Sequence, residues 1–401
     1  MAGSVKRPAS TTGTISPPPV KRKIESTLTK QSVSSFFTPA SQKKPEQITW
    51  RIVNNSLVVG KYAKKADHKQ TIEKPKVAAF DLDSTLVSTA SGNTFPKNSS
   101  DWKWWHDTVP SKLKELSADG YYVIIITNQK KISLQKDMKG GRSDSKSLTN
   151  FKERASAVMK QLDIPLSVYA ATLDDGYRKP RIGMWKEFLD DYDFDVNGVD
   201  LSKSIYVGDA AGRPNDHSQV DRGFAVNAGV PFKTPEEFFL NAAPEPLVES
   251  FDPSLYLQSD QTDDASPPFS RQSALELVIF CGSPGAGKST FYWDYLEPLG
   301  YERVNQDILK TRPKCIKVAK EHLTAGRSVV VALCRHNNAV RAANKSLNPE
   351  SRALLPGIAF GDFGRRFKEP TMAEGFKDIV RVDFRFRGDE ESQQIWKQYW
   401  I

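Results

Sequence analysis

The chain has 401 residues, enough for two or three domains, and its 38% apolar content supports real cores while leaving room for disordered stretches. Its 57 basic and 48 acidic residues give a net charge of +9, which favours an anionic partner such as nucleic acid. No run approaches the roughly 18 apolar residues of a membrane-spanning helix, no apolar secretory segment follows the start, and three cysteines (Cys281, Cys315, Cys334) without metal spacing suit a reducing compartment.

Residues 1–47 are rich in Ser, Thr, Pro and Lys and read as a disordered basic tail. Eight basic residues stand there against Glu25 and Glu46. Lys6-Arg7 and Lys21-Arg22-Lys23, split by a Pro-rich spacer, suggest a bipartite nuclear-import signal, with a generic solvated tail as the alternative. The one apolar island, Lys30 to Phe37, has paired aromatics like the peptides that dock on replication sliding clamps. Lys30 stands where that pattern wants Gln, and Gln31 comes one step late.

Ile48 to Gly60 alternates apolar residues and predicts one or two strands. Val77 to Phe80 is a continuous apolar run ending in acids, as a parallel strand covered on both faces does. Asp81 and Asp83, two residues apart, point the same way on an extended chain, at the strand end where open α/β sheets bind ligands. Asp81 could attack phosphorus, and Asp83 could protonate the leaving alcohol and then activate water. Mg²⁺ would offset the crowding of carboxylates and phosphate. An acidic strand-to-loop turn without chemistry is the bland alternative.

Trp102, Trp104 and Trp105 follow in a predicted loop, either to stack on bases or to plug a core. A helix is expected around Ser111 to Ser117. The second buried strand, Tyr121 to Ile126, ends in Thr127-Asn128-Gln129, whose hydroxyl could hold a phosphoryl oxygen near Asp81. A helix from Leu148 to Leu162 and a strand from Leu166 to Ala171 come next. Tyr177-Arg178-Lys179-Pro180 then offers a lysine able to neutralise phosphoryl charge, and a helix is expected from about Met184 to Tyr192. The fourth strand, Ser204 to Val207, ends in Gly208-Asp209, an acid placed to bind Mg²⁺. Asp216 and Asp221 rank lower as further acidic contacts. Phe224 to Val226 reads as a fifth strand, and Thr234 as the cap of a helix running to Leu240. Asp81/Asp83, Thr127, Lys179 and Asp209 thus arrive in order, each beside the end of an apolar strand. That order resembles the haloacid-dehalogenase (HAD) phosphatase superfamily.

Residues 251–272 read as a linker. The strand Leu275 to Phe280 runs into Gly282-Ser-Pro-Gly285-Ala-Gly287-Lys288-Ser289-Thr290, the Gly-x-x-x-x-Gly-Lys-Ser phosphate loop. Its amides and helix start would bind phosphate oxygens, Lys288 would reach the β/γ-phosphates of ATP, and Ser289 would hold Mg²⁺. A short strand Tyr301 to Val304 precedes Asp307, a carboxylate that could accept a proton from an attacking hydroxyl. A helix (Lys314 to Ala325) and a strand (Ser328 to Ala332) lead to a basic helix, Arg335 to Ala343. Its Arg335 and Arg341 could close over transferring phosphate or simply face solvent. Glu369 to Phe376 is a capped helix start and Ile379 to Phe386 a final strand.

A phosphatase unit followed by a kinase unit resembles the eukaryotic polynucleotide kinase 3′-phosphatase family. The resemblance rests on Phe80 to Leu86, Ile126 to Gln129, Tyr177 to Pro180 with Gly183 to Trp185, Val207 to Pro214, Pro231 to Leu240, the phosphate loop and Glu369 to Phe376. It implies an α/β fold: a HAD-like parallel-sheet domain (48–250), a linker (251–272) and a P-loop kinase domain (273–401) after the tail (1–47). It is to the fungal-style form, without the forkhead-associated domain of animal members. It implies removal of 3′-phosphate and ATP-dependent phosphorylation of 5′-hydroxyl at DNA strand breaks, in the nucleus, with no sign of an obligate oligomer. Asp81, the Asp83 carbonyl and Asp209 would hold Mg²⁺; Lys288 and Ser289 would bind ATP with Mg²⁺, and Asp307 would be the kinase base. One departure matters: after Val329 to Val331 the family continues with a further helix and strand. Here Ala332-Leu333-Cys334 runs straight into Arg335. A kinase sheet short of one strand exposes an edge and loses packing for the lid, so a weakened kinase is expected. A phosphatase whose P-loop domain only binds ATP or DNA, and an inert repair scaffold, are the alternatives.

Overall fold

The computed structural model describes residues 47–62, 74–135, 144–247, 252–257, 269–272, 278–301, 338–344, 347, 354–380, 382, 386 and 388–401. The tail with its import and clamp motifs lies outside them, as do Asp307, Arg335, Cys315 and Cys334. So do the helix 314–325, the strand 328–332 and the junction at 332–334. No described helix is long and apolar enough to cross a membrane.

The first unit is built on a sheet of seven strands in the order β1-β2-β7-β6-β3-β8-β9. They are β1 (Ile48–Val53), β2 (Leu57–Tyr62), β3 (Lys76–Phe80), β6 (Tyr121–Asn128), β7 (Leu166–Ala171), β8 (Ile205–Val207) and β9 (Phe232–Lys233). A small hairpin of β4 (Val87–Ser88) and β5 (Lys103–Trp104) stands apart. β3 lies between β6 and β8 and is parallel to both. β1 and β2 form an antiparallel hairpin that extends the β7 edge. The chain reverses there through Asn54 and Asn55 at φ 49° and 52°, a region asparagine tolerates better than most residues.

Alternation along the strands explains the two cores. Ala78, Phe80, Val123 and Ile125 face one side, with Leu113 of α1 (Val109–Ala118) and Phe151, Ala155, Val158 and Leu162 of α2 (Lys146–Leu162). Val77, Ala79, Ile124 and Ile126 face the other, against Met184, Trp185 and Phe188 of α3 (Gly183–Asp191). A central strand covered on both faces has to be apolar at every position, which is why β3 reads as an unbroken run. The Ser145 hydroxyl caps α2 by accepting from the Leu148 amide, and Asp163 at φ 51° ends it. α4 (Phe194–Asn197) is a single turn beyond α3. The tryptophan cluster is structural: Trp102, Trp104 and Trp105 pack on the first core, and Trp104 lies in β5.

One expected strand is a helix. Phe224 to Val226 lies inside α5 (Val220–Ala228). A three-residue apolar run fits either period, but Asp221, Phe224, Ala225 and Ala228 fall on one buried helical face. Gly229 at φ 73° then closes the helix, and the edge strand is β9 instead. After it, α6 (Pro235–Phe239) starts at a capping box: Thr234 Oγ1 accepts from the Glu237 amide and Glu237 returns to the Thr234 amide.

In the second unit, Lys288–Phe291 form one helical turn directly after the phosphate loop. The helix widens over Tyr292–Leu296 and tightens at Glu297–Leu299, where Pro298 has no amide to donate. Residues 278–280 carry no strand; the rest of that expected strand, 275–277, lies outside the described residues. Residue 301 and residues 379, 380, 382 and 386, within two further expected strands, are likewise not in strands. Residues 338–343 are helical, as the basic helix requires, and Thr371 with Glu374 forms the expected capping box on a short 3₁₀ turn, Met372–Glu374. Two helices were not foreseen, Gly357–Arg366 and Glu390–Trp396. Within the expected linker, Pro253–Tyr256 form a 3₁₀ turn, and Tyr256 meets Trp396 edge to face at 6.2 Å.

Candidate active site

The site grows from the end of β3. The Asp81 amide donates to Val207 O of β8 (2.9 Å), so the nucleophile candidate is tied to the neighbouring strand. The chain then turns sharply: the amides of Leu86 and Val87 both donate to Leu82 O at 3.0 Å, and the Ser84 amide donates to Val87 O. Leu82 and Leu86 are fully buried and anchor this turn, and Ser84 takes φ 62° to make it. Thr85 Oγ1 accepts from the Asp209 amide at 3.1 Å, which joins the loop after β3 to the loop after β8.

Lys179 comes from the loop between β7 and α3. Asn128, at the end of β6, holds that loop with both ends of its amide: Nδ2 donates to Lys179 O (3.2 Å) and Oδ1 accepts from Lys179 N (2.9 Å). The buried ammonium then lies 2.5 Å from Asp81 Oδ1, 2.7 Å from Asp221 Oδ1, and 3.0 Å from both Ile126 O and the Tyr206 hydroxyl. Tyr206 Oη in turn donates to Asp221 Oδ1 at 2.9 Å, and Asp221 Oδ2 accepts from the Ala210 amide at 3.0 Å. Gly208 is obligatory for that contact, because a Cβ there would lie 2.5 Å from Asp221 Cγ.

Asp81, Asp209 and Asp221 bring one carboxylate oxygen each within 4.8 Å of one another. Three carboxylates face one ammonium, so with all three ionised two negative charges would stand uncompensated in this space. The electrostatics follow from that count. Burial raises Asp81 well above the ordinary carboxylate range; Lys179 opposes the shift, and Asp221 and Asp209 add to it. Asp209 is raised to about 6, first by burial and then by Asp221. Burial alone would push Lys179 down, but Asp221 and Asp81 outweigh it and the ammonium is held above its usual value. A hard divalent cation with oxygen ligands matches both the donor set and the missing charge. Buried Tyr206 is raised well above the usual phenol range, first by burial, then by Asp221 and Asp81, and so remains a donor.

Asp81, Thr127 and Asp209 thus lie at the ends of the neighbouring strands β3, β6 and β8, and Lys179 reaches in from the β7–α3 loop; Thr127 Oγ1 accepts from Gln129 Nε2 at 3.0 Å. The Asp83 side chain is partly exposed and its carboxylate stands outside the acidic cluster. It accepts from Gln129 Nε2 (2.6 Å) and from Arg154 Nη1 (2.5 Å) and Nη2 (3.4 Å). The two lower-ranked acids separate. Asp221 joins the cluster, whereas Asp216 is taken by Arg213 Nε and by the amides of Ala211 and Arg213. Sequence reasoning includes Thr85 in the Asp-x-Asp-x-Thr turn but gives it no role, and it misses Arg154 and Tyr206. Arg154 had left a signal: it is a charge inside the apolar stripe Phe151-Ala155-Val158 of α2.

In the phosphate loop, Gly285 and Gly287 take φ 80° and 82°, backbone that an L side chain would strain. Lys288 Nζ donates to Gly282 O and Ser283 O, both at 2.7 Å, and Arg341 Nη2 donates to Thr290 Oγ1 at 2.6 Å. Ser289 follows in the first helical turn.

The polynucleotide kinase 3 phosphatase family model matches residues 76–239, and an AAA domain model matches 277–324. A bifunctional polynucleotide phosphatase/kinase of Schizosaccharomyces pombe is 39% identical over 388 residues, covering 88% of each chain. This chain belongs to the polynucleotide phosphatase/kinase family. Members and relatives differ in extent. A polynucleotide 3′-phosphatase of Saccharomyces cerevisiae is 27% identical, over 45% of this chain and 92% of its own. The polynucleotide 3′-phosphatase ZDP of Arabidopsis thaliana is 33% identical, over 43% of this chain and 25% of its own. The order of units is that of the family: a phosphatase unit on a mixed, largely parallel sheet, followed by the phosphate-loop unit.

Proposed function

We propose that this chain heals broken DNA ends, hydrolysing terminal 3′-phosphate in residues 48–250 and phosphorylating 5′-hydroxyl with ATP in residues 273–401. The observation that carries the phosphatase half is the meeting of Asp81, Lys179, Asp209 and Asp221 at the ends of β3 and β8, one ammonium among three carboxylates. Asp81 Oδ attacks phosphorus while Asp83 gives its proton to the departing O3′. The Asp83 carboxylate then takes a proton from water as that water releases phosphate from Asp81. Thr127 and Lys179 bind phosphoryl oxygens and keep them aimed at Asp81. Asp81, Asp209 and Asp221, with the Asp83 carbonyl, would hold Mg²⁺, which supplies Lewis-acid charge at the transferring phosphoryl group.

In the kinase half, Gly282, Gly285, Gly287, Lys288, Ser289 and Thr290 bind the ATP phosphates with Mg²⁺, Asp307 accepts the proton of the 5′-hydroxyl, and Arg335 and Arg341 steady the moving phosphoryl group. The basic tail carries the chain into the nucleus, and residues 30–37 offer a sliding clamp a short docking peptide. The junction at residues 332–334 favours a second reading, in which the phosphatase is active and the P-loop unit binds ATP or DNA with little transfer. One assay tests both: a nicked duplex bearing 3′-phosphate and 5′-hydroxyl, incubated with and without ATP. D81N is expected to abolish phosphate release alone and K288A the ATP-dependent transfer alone. Phosphate release surviving D81N refutes the nucleophile assignment. Transfer at the rate of a full-length family member refutes the impaired-kinase reading.

A further inference from the structure

Asp83 faces two tasks that demand a fixed direction: it must reach O3′ in the first half-reaction and water in the second. Its own position offers little restraint. The side chain is 44% exposed, and the residue's backbone makes an isolated bridge to Val87 rather than belonging to a strand. The restraint comes from α2. Arg154, 4% exposed, reaches from the buried face of that helix and forks onto both Asp83 oxygens, Nη1 to Oδ1 at 2.5 Å and Nη2 to Oδ2 at 3.4 Å. Gln129 Nε2 closes the third side at 2.6 Å from Oδ2 and also donates to Thr127 Oγ1.

A buried arginine in an apolar helical stripe is costly, because desolvating its charge is repaid only by a well-made partner. Phe151, Ala155 and Val158 fill the neighbouring positions, so the site could have taken an aliphatic side chain. The planar fork of a guanidinium matches a carboxylate and fixes its plane, which a lysine ammonium does not do.

From this geometry we infer that Arg154 is a positioning residue of the phosphatase reaction: it fixes the Asp83 carboxyl plane so that one oxygen is presented to the leaving O3′. Arg154 is not assigned contact with phosphate, which lies with Asp81, Thr127 and Lys179. The inference rests on the reading of Asp83 as the proton donor to the leaving group. A misaimed donor slows departure of a poor leaving group and hardly matters for a good one, whereas activation of water is common to both; kcat/KM, which reads only the steps through leaving-group departure, therefore separates aiming from general damage.

The test uses the full chain with two substrates: an oligonucleotide 3′-phosphate, whose alkoxide leaves poorly, and p-nitrophenyl phosphate, whose phenolate needs no proton. R154M is expected to lower kcat/KM on the oligonucleotide by about 10–100-fold, part of the roughly 10²–10⁴ that acid–base catalysis supplies, and kcat/KM on the aryl phosphate by less than threefold. In a D83N background R154M should add nothing further. R154K, which keeps charge but not the fork, should recover only part of the loss. Should R154M fail to fold, R154K carries the same two-substrate comparison. An equal loss of kcat/KM on both substrates overturns the inference and makes Arg154 a structural or phosphate-binding residue. D83N is measured in parallel. If D83N itself fails to discriminate the two substrates, it is the assignment of Asp83 that falls; if D83N discriminates and R154M does not, only the role of Arg154 falls.

Discussion

Replacing Tyr206 by phenylalanine removes one oxygen from the centre of the acidic site and almost no volume. The hydroxyl is fully buried, accepts from Lys179 Nζ at 3.0 Å and donates to Asp221 Oδ1 at 2.9 Å. A hydrogen bond to a charged group contributes about 1.5–3 kcal/mol, and in a unit of this size each kcal/mol moves the melting temperature by roughly 2–4 °C. Y206F should therefore melt about 3–12 °C lower. The ring remains packed on Phe224, with centroids 5.0 Å apart, so no large cavity adds to the cost. The functional effect is expected in the Mg²⁺ requirement. Asp221 loses one of the two donors that aim Oδ1, the other being Lys179, and loss of a partner behind a metal ligand costs about 10–100-fold in metal affinity. Phosphate release measured against Mg²⁺ concentration should shift its midpoint upward by that factor, with the rate largely recovered at saturation. A Mg²⁺ titration that superimposes on that of the unaltered chain, despite the lower melting temperature, would refute the reasoning that Tyr206 orients a metal-binding carboxylate.

Gly208→Ala should be as damaging to phosphate release as loss of Asp221 itself, because the new methyl would lie 2.5 Å from Asp221 Cγ; an active G208A chain would show that Asp221 can move without consequence. Saturating Mg²⁺ should raise the melting temperature of the phosphatase unit, since a ligand at about 100 times its Kd adds roughly 2.7 kcal/mol, and D81N/D221N should abolish that rise. Lys288→Ala should remove ATP-dependent protection of the second unit in a thermal-shift assay while phosphate release stays unchanged. Asp216 is pulled below the ordinary carboxylate range despite burial, because Arg213 and two backbone amides favour its charged form. A lowered folded value means stability that is present above about pH 4 and lost as pH falls further. Urea melts should accordingly show D216N about 1–2 kcal/mol less stable at pH 7, with the gap narrowing below pH 4.

The parallel core was readable because its strands are covered on both faces, so the apolar runs at Val77–Phe80, Tyr121–Ile126 and Leu166–Ala171 could hardly be anything else. The fifth strand was misread for the opposite reason. Phe224-Ala225-Val226 is too short to show a period, and the residues that decide it, Asp221 on one side and Gly229 on the other, lie outside the run. Leu275 to Phe280 shows a further limit. Its apolar run promised a strand before the phosphate loop, yet residues 278–280 are not in one. Whether an apolar run becomes a strand depends on a neighbour with free backbone groups, and that neighbour is not encoded in the run itself.

The site divides along a similar line. Residues at strand ends were found because topology alone brings strand ends together: Asp81, Thr127 and Asp209 needed no side-chain knowledge. Asp221, Tyr206 and Arg154 sit within a helix or a strand, and they reach the site through side-chain direction, which spacing does not specify. Their polar character at apolar positions was the available clue. Tyr206 interrupts the buried strand Ile205–Val207, Arg154 interrupts the stripe of α2, and Asp221 opens a helix face that is otherwise apolar. Each such residue must find a partner or destabilise the fold, because an unpaired polar group in a core is expensive. In this chain the partners are one another and the strand-end acids. Tyr206 and Asp221 complete the charge network around Lys179, and Arg154 completes the fork on Asp83. The cost of burying them is what makes them informative: a core would exclude them unless the two carboxylates of the Asp-x-Asp turn had to be held in separate, fixed orientations.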